Sequence, residues 1–228
     1  MISRFAMMAL SFMILAACDS AKPPTGQAAP EAAAGPAVER AGPVRWNETA
    51  GAFELGGAPL ASAKLWRFNG DTGGFTVMGS EITPTDKGLR MTVADPTLRS
   101  PEGLGVSGAS HSLVLVRLTR TRAGEAWDGA LYYKTPNHPE TINYLGKPIS
   151  GANPAVNETT TLVYDMSNPA AGGQDWVTST IDQVRFDIED KPGGQFLIHQ
   201  IAIVTNPNPA ALAPPVPAAP VAPATPAP

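Results

Sequence analysis

Tyr132 and Tyr133 stand side by side in one β-rich run, and Arg117, Arg185 and Asp187 occupy alternating positions in two others. A phenol ring presents an apolar face and a hydroxyl. Guanidinium and carboxylate groups offer paired donors and acceptors in fixed geometry. Collected on one surface, these groups suit a polar ligand with apolar patches. Their bland use is an ion pair across neighbouring strands, worth little where exposed. Trp127 and Trp176 fall in glycine-bearing segments, 124–129 and 172–176, that read as loops. An indole on a loop can offer its face to a ligand, or it can turn inward and fill the core. Trp66, beside Phe68 in an early strand, is expected in the core. His138 and Asn143, on the loop after Thr135, are further polar candidates.

No catalytic constellation accompanies them. His111, His138 and His199 lack the spacings of a zinc site. No G-x-S-x-G elbow occurs. Asp165, Asp175, Asp182, Asp187, Glu189 and Asp190 supply carboxylates, but their spacing identifies no pair facing across a cleft, and acids near turns are commonly caps. Gly103–Gly108 matches G-x-G-x-x-G, yet it follows Ser100-Pro101-Glu102 and opens onto a strand, so it is no dinucleotide fingerprint. The chain is expected to bind rather than to catalyse.

The elements that must position these residues are strands. Between Arg45 and Asn206 no apolar period of 3.6 persists for three turns. Short runs rich in β-branched and aromatic residues alternate with turn residues instead. They are Leu65–Phe68, Phe75–Met78, Gly88–Val93, Ser112–Thr121, Ala130–Thr135, Thr160–Met166, Ile181–Ile188 and Phe196–Val204. Adjacent residues of a strand point to opposite faces. Val184, Phe186 and Ile188 therefore lie opposite Gln183, Arg185 and Asp187, and Leu131 and Tyr133 opposite Tyr132 and Lys134. Val114, Val116 and Leu118 lie opposite Leu113, Leu115 and Arg117. One of Tyr132 and Tyr133 is core and the other is on the ligand side. The fold class is all-β: a β-sandwich of about eight strands, spanning residues 44–206.

Two tails flank it. The chain has 228 residues with 24 Pro and 22 Gly, and much of the proline lies in residues 19–43 and 207–228. Such Ala/Pro-rich sequence cannot bury enough surface to offset its ordering entropy, so both tails are expected to be disordered. The formal charge of −4 gives no electrostatic footprint for nucleic acid. Cys18 is the single cysteine, so the domain has no internal disulfide. It closes Leu15-Ala16-Ala17-Cys18 after a short apolar run that begins behind Arg4. This stretch resembles the lipobox of bacterial lipoproteins. The resemblance implies a signal peptide over residues 1–17, a lipidated Cys18 opening a linker over 18–43, and attachment to the periplasmic side of a membrane in the cell envelope. Asp19 resembles an inner-membrane retention signal, which leaves inner against outer membrane open.

A second resemblance rests on an ordered series: Trp66-Arg67-Phe68 with its Gly-rich turn, Gly88-Leu89-Arg90, Val116-Arg117-Leu118, Trp127-Asp128-Gly129 before Leu131-Tyr132-Tyr133-Lys134-Thr135, Tyr164-Asp165-Met166, Asp175-Trp176, Ile181–Asp187 and Phe196-Leu197-Ile198. The series is similar to galactose-binding-like jelly rolls that serve as carbohydrate-binding modules. That resemblance implies an antiparallel jelly roll of eight or nine strands and non-catalytic binding of a saccharide or envelope polysaccharide, for which the residues read above, Tyr132, Tyr133, Trp127, Trp176, Arg117, Arg185, Asp187, His138 and Asn143, are the candidates. It also implies a structural calcium ion. Such modules often carry an acid on the last strand where this chain has His199, and calcium gains little from imidazole. Asp71, in the Gly-rich turn, is then the candidate carboxylate. The other reading is a structural lipoprotein whose sandwich binds a protein partner, with the Pro/Ala tail reaching a second one.

Overall fold

The computed structural model describes residues 36–92 and 97–207. Cys18, Asp19, Val93, the linker as far as residue 35 and the Pro/Ala tail from 208 onward lie outside the described residues. The chain forms strands β1 (Val38–Glu39), β2 (Val44–Asn47), β3 (Ala52–Leu55), β4 (Ala58–Pro59), β5 (Ser62–Trp66), β6 (Thr76–Met78), β7 (Glu81–Thr85), β8 (Gly88–Thr92) and β9 (Thr97–Arg99). There follow β10 (Val106–Ser107), β11 (Leu113–Arg122), β12 (Trp127–Lys134), β13 (Leu145–Gly146), β14 (Glu158–Asp165), the helical turn α1 (Asp175–Thr178), β15 (Thr180–Ile181), β16 (Gln183–Glu189) and β17 (Gln195–Val204).

Two sheets face each other. One has seven strands in the order β1-β14-β11-β17-β8-β7, with β5 continuing the line of β8 along the second half of β17. The other has five, in the order β13-β12-β16-β9-β6. The chain switches sheets again and again, from β8 to β9, β11 to β12, β13 to β14 and β16 to β17, which is the habit of a jelly roll. Pairing is antiparallel except between β1 and β14. The expected all-β sandwich is the fold.

Alternation explains the core. Val114, Val116 and Leu118 of β11 meet Leu131 and Tyr133 of β12 and Val184, Phe186 and Ile188 of β16 between the sheets. Leu113 and Leu115 point the other way, yet they too are buried. The hairpin of β2, β3 and β4 covers them, and Val44, Phe53, Leu55 and Leu60 form a second apolar layer with Val163, Ala202 and Val204. Phe53 is wholly buried there, edge-on to Trp46 with centroids 5.1 Å apart. Sequence alternation did not reveal this hairpin, because its strands of two to four residues are too short to show a period.

Two boundaries differ from expectation. Val38–Glu39 falls in the expected linker but forms β1, held to β14 by backbone bonds and by Arg40, whose guanidinium bonds both carboxylate oxygens of Glu158 at 2.6 Å. The run Ile181–Ile188 breaks at Asp182 into β15 and β16, because Asp182 Oδ1 accepts the Gly103 N–H and its backbone N–H bonds Lys134.

Candidate ligand-binding face

The outer face of the five-stranded sheet is uncovered and polar, and register sets its pattern. Tyr132 of β12 lies opposite Arg185 of β16, which lies opposite Arg99 of β9, which lies opposite Thr76 of β6. The next row on the same face is Ala130, Asp187, Thr97 and Met78. Two arginines directly across from each other repel. Glu140, from the loop after β12, resolves this. Its carboxylate accepts Arg99 Nε at 3.0 Å and Arg185 Nη1 at 3.2 Å. Asp187 Oδ2 accepts Arg185 Nη2 at 2.9 Å. The Arg185 guanidinium sits 4.0 Å from the centroid of the Tyr132 ring, close enough for cation–π attraction. Lys134 pairs with Glu102 and Asp182, each at 3.0 Å. These bonds lift the Lys134 ammonium above its ordinary pKa.

Beside this network runs an open trough of about 670 Å³, bordered by Thr76, Met78, Arg99, Pro101, Glu140 and Arg185. Burial pushes the Asp187 carboxyl up, against the downward pull of Arg185. Burial, then Asp187 and Asp128, push the Tyr132 phenol up. Asp187 Oδ1 and Arg185 Nε are shielded from solvent and have no hydrogen-bond partner. An unpaired acceptor and an unpaired donor therefore sit on neighbouring side chains within this network. Arg99, Arg185 and Lys134 are each already neutralised by a carboxylate, so the face offers directional bonds rather than net charge.

The candidate residues separate. Tyr132, Arg185 and Asp187 come together on this face. Tyr133 is fully buried beneath it, edge-on to Trp176 at 5.0 Å. Trp176, expected on a loop, lies in α1 with 0% exposure and donates its indole N–H to the His111 carbonyl at 3.0 Å. It has no free face to stack on a ligand. The correction has a physical cause: one helical turn suffices to swing a large apolar ring inward, and four residues leave no periodic trace. Trp127 belongs to β12 rather than to a loop. A bulge at Gly129, where φ is +66° and a Cβ would lie 2.9 Å from the indole, turns the ring toward Phe196 at one end of the sandwich. Arg120 lies 5.9 Å over that ring.

Arg117 does not join Arg185 and Asp187. It projects from the seven-stranded sheet, on the far side of the core, where it bonds Glu39 and Gln200. Alternation assigns a residue to a face of its own sheet but does not say which sheet holds the strand. His138 stacks on Tyr144 at 3.5 Å and bonds Asp175 Oδ2 at 2.8 Å, which fixes the loop carrying Glu140. Asn143 is exposed on that loop. Asp71 Oδ1 accepts the Gly73 N–H at 2.7 Å, as turn aspartates do. Among the described residues no three of His, Cys, Asp or Glu gather as metal ligands. Asp71 is thus a single carboxylate engaged with its own turn, where calcium takes six to eight oxygen ligands.

Arg99, Glu140, Thr76 and Met78 were absent from the sequence candidates. Arg99 had a faint signal, alternating with buried Leu98, but its strand has three residues. Glu140 had none, since only the pairing of β9 with β16 makes a carboxylate necessary there.

No protein-family model and no curated protein matches the chain. Among solved structures it is similar to a family 29 carbohydrate-binding module from Piromyces equi, at 8% identity and a TM-score of 0.42 over 63% of this chain and 91% of the other. It is also similar to a carbohydrate esterase from the Shiga toxin-encoding bacteriophage phi24B, at 13% identity and a TM-score of 0.38 over 64% of this chain and 99% of the other. At these values neither likeness assigns a family or a ligand.

Proposed function

We propose that this protein binds a saccharide, without catalysis, on the outer face of the five-stranded sheet, and does so as a lipid-anchored component of the bacterial envelope. The observation that carries the binding is the row Tyr132, Arg185 and Arg99 with Glu140 and Asp187 beside an open trough. Hydroxyls need bonds given and received at close spacing, and this face supplies both from side chains held by one another. The Tyr132 ring gives an apolar surface once the Arg185 fork shifts toward a bound sugar. An open trough suits a chain passing across it, and many anchored copies would add avidity for a repetitive polymer.

Affinity electrophoresis against a panel of soluble polysaccharides tests this. Retardation by at least one polymer, abolished in Tyr132→Ala and Arg185→Ala, is the expected result. Free migration in all of them sinks the proposal. The anchor rests on Leu15-Ala16-Ala17-Cys18 and is tested apart. Wild type is expected in the detergent phase of a Triton X-114 partition and Cys18→Ser in the aqueous phase.

Exposed apolar side chains favour a second reading. Met78 at the trough rim is 59% exposed and Ile142 on the neighbouring loop is 74% exposed. A protein partner would cover both, so cross-linking through this face with no polysaccharide retardation would select that reading.

A further inference from the structure

The side of the molecule opposite that trough holds two adjoining hollows of about 430 and 370 Å³, which share Glu48 and Arg117. The seven-stranded sheet supplies their floor, and hairpin β2–β3 stands along them as a wall carrying Arg45 and Trp46. The floor is irregular. Pairing of β11 with β17 steps from Arg117↔Gln200 to Leu118↔Ile198, so His199 is an extra residue. Such bulges re-aim side chains and gather beside binding sites. Here the His199 ring reaches Thr119 Oγ1 at 2.8 Å and the Lys87 carbonyl at 2.9 Å, and it lines the hollow with Gln200.

We infer that this is a second ligand site, for a saccharide bearing a carboxylate or a phosphate. Its charges are arranged unlike those of the first face, where each cation is already paired. Among the described residues, Arg45 and Lys87 make no side-chain hydrogen bond or ion pair. Arg67 bonds only the Gly51 carbonyl, at 2.6 Å, and lies 5.4 Å over the Trp46 ring. None of these three cations is in an ion pair; they stand with the unpaired carboxylates of Glu48 and Asp86, while Glu54, opposite Arg45 in register, accepts the Asn47 amide. An anionic substituent is drawn to Arg45, Arg67 and Lys87. Glu48 and Asp86, with the Asn69 and Gln200 amides, provide acceptors for the hydroxyls of the same sugar. Trp46 lines the hollow with a half-buried indole whose N–H is shielded and has no partner. It supplies an apolar wall. The site does not depend on the first face.

Isothermal titration of the full-length protein tests it with three probes: trigalacturonate, glucose 6-phosphate and maltotriose as the uncharged control. The acidic sugar is expected to bind about tenfold more weakly in 300 mM than in 50 mM salt, since exposed charges are screened. Arg45→Gln combined with Lys87→Gln, at two exposed positions whose side chains make no hydrogen bond or ion pair, is expected to weaken it at least tenfold with an unchanged melting temperature. Arg185→Ala, which disables the first face, is expected to leave it intact. Binding of the uronate alone identifies a carboxylate ligand, and of the phosphate sugar alone a phosphate ligand. Three results overturn the inference: no binding of either acidic sugar, equal affinity in the double variant, or loss of binding in Arg185→Ala.

Discussion

Arg185→Ala separates binding from mere structure on the five-stranded sheet. The change removes bonds to Glu140 at 3.2 Å and to Asp187 at 2.9 Å, and the contact 4.0 Å from the Tyr132 ring centroid. The Arg185 side chain keeps 18% exposure, so each ion pair is screened and contributes about 0.2–1 kcal/mol. The ring contact adds about 0.5–1 kcal/mol. Glu140 keeps Arg99, which places the total near 1–2 kcal/mol and the drop in melting temperature at about 2–8 °C. Binding suffers more. A hydrogen bond from a charged donor contributes about 1.5–3 kcal/mol when its partner depends on it, which is about 10–150-fold in affinity. Arg185→Lys keeps the charge but not the planar fork, so it should regain much of the stability and little of the affinity. Urea denaturation and titration with the retarding polysaccharide read the two quantities separately. Lost stability with unchanged affinity would refute the reasoning and leave the network a structural ion pair.

Other elements give further tests. Phe53→Ala empties the layer beneath hairpin β2–β4 and should cost about 3–5 kcal/mol in denaturant melts, while polysaccharide binding at Tyr132 persists. Glu189 is fully buried and bonds Arg120, so Glu189→Gln leaves that guanidinium without its counter-charge and should cost about 3–5 kcal/mol, read as a lowered melting temperature. Burial holds His199 below its ordinary 6.5. The unfolded chain therefore takes up this proton first, and stability should fall as pH drops below about 6.5 toward the folded value; His199→Gln should flatten that slope in melts between pH 5 and 7. The Asp187 carboxyl is held above its ordinary 3.8, so its contribution has the opposite sign. Stability should fall as pH rises from 3.8 through the folded value, and Asp187→Asn should remove that decline.

Strands long enough to alternate were legible in the sequence. Ser112–Thr121, Thr160–Met166 and Phe196–Val204 match β11, β14 and β17 to within two residues at each end. The split of Tyr132 from Tyr133, and the shared face of Arg185 and Asp187, follow from the same two-residue period. Three kinds of information were not local. Arg117 showed its face but not its sheet, because pairing partners depend on the whole topology. Trp127 and Trp176 were misplaced by a one-residue bulge and a four-residue helical turn, each shorter than any period. Glu140 became part of the site only because β9 and β16 bring Arg99 and Arg185 together, a long-range fact with no signature around residue 140. The second layer under Phe53 was hidden for the same reason, since the aliphatic residues on both faces of β11 fitted one core as well as two.

The most direct test of the account is a map of backbone amide shifts in ¹⁵N-labelled protein titrated with the retarding polysaccharide, fragmented to short oligomers. The account predicts saturable shifts at Thr76, Arg99, Tyr132, Glu140, Arg185 and Asp187, with the buried Tyr133 and Trp176 moving far less. Shifts confined to other strands, or none up to millimolar oligomer, would contradict it.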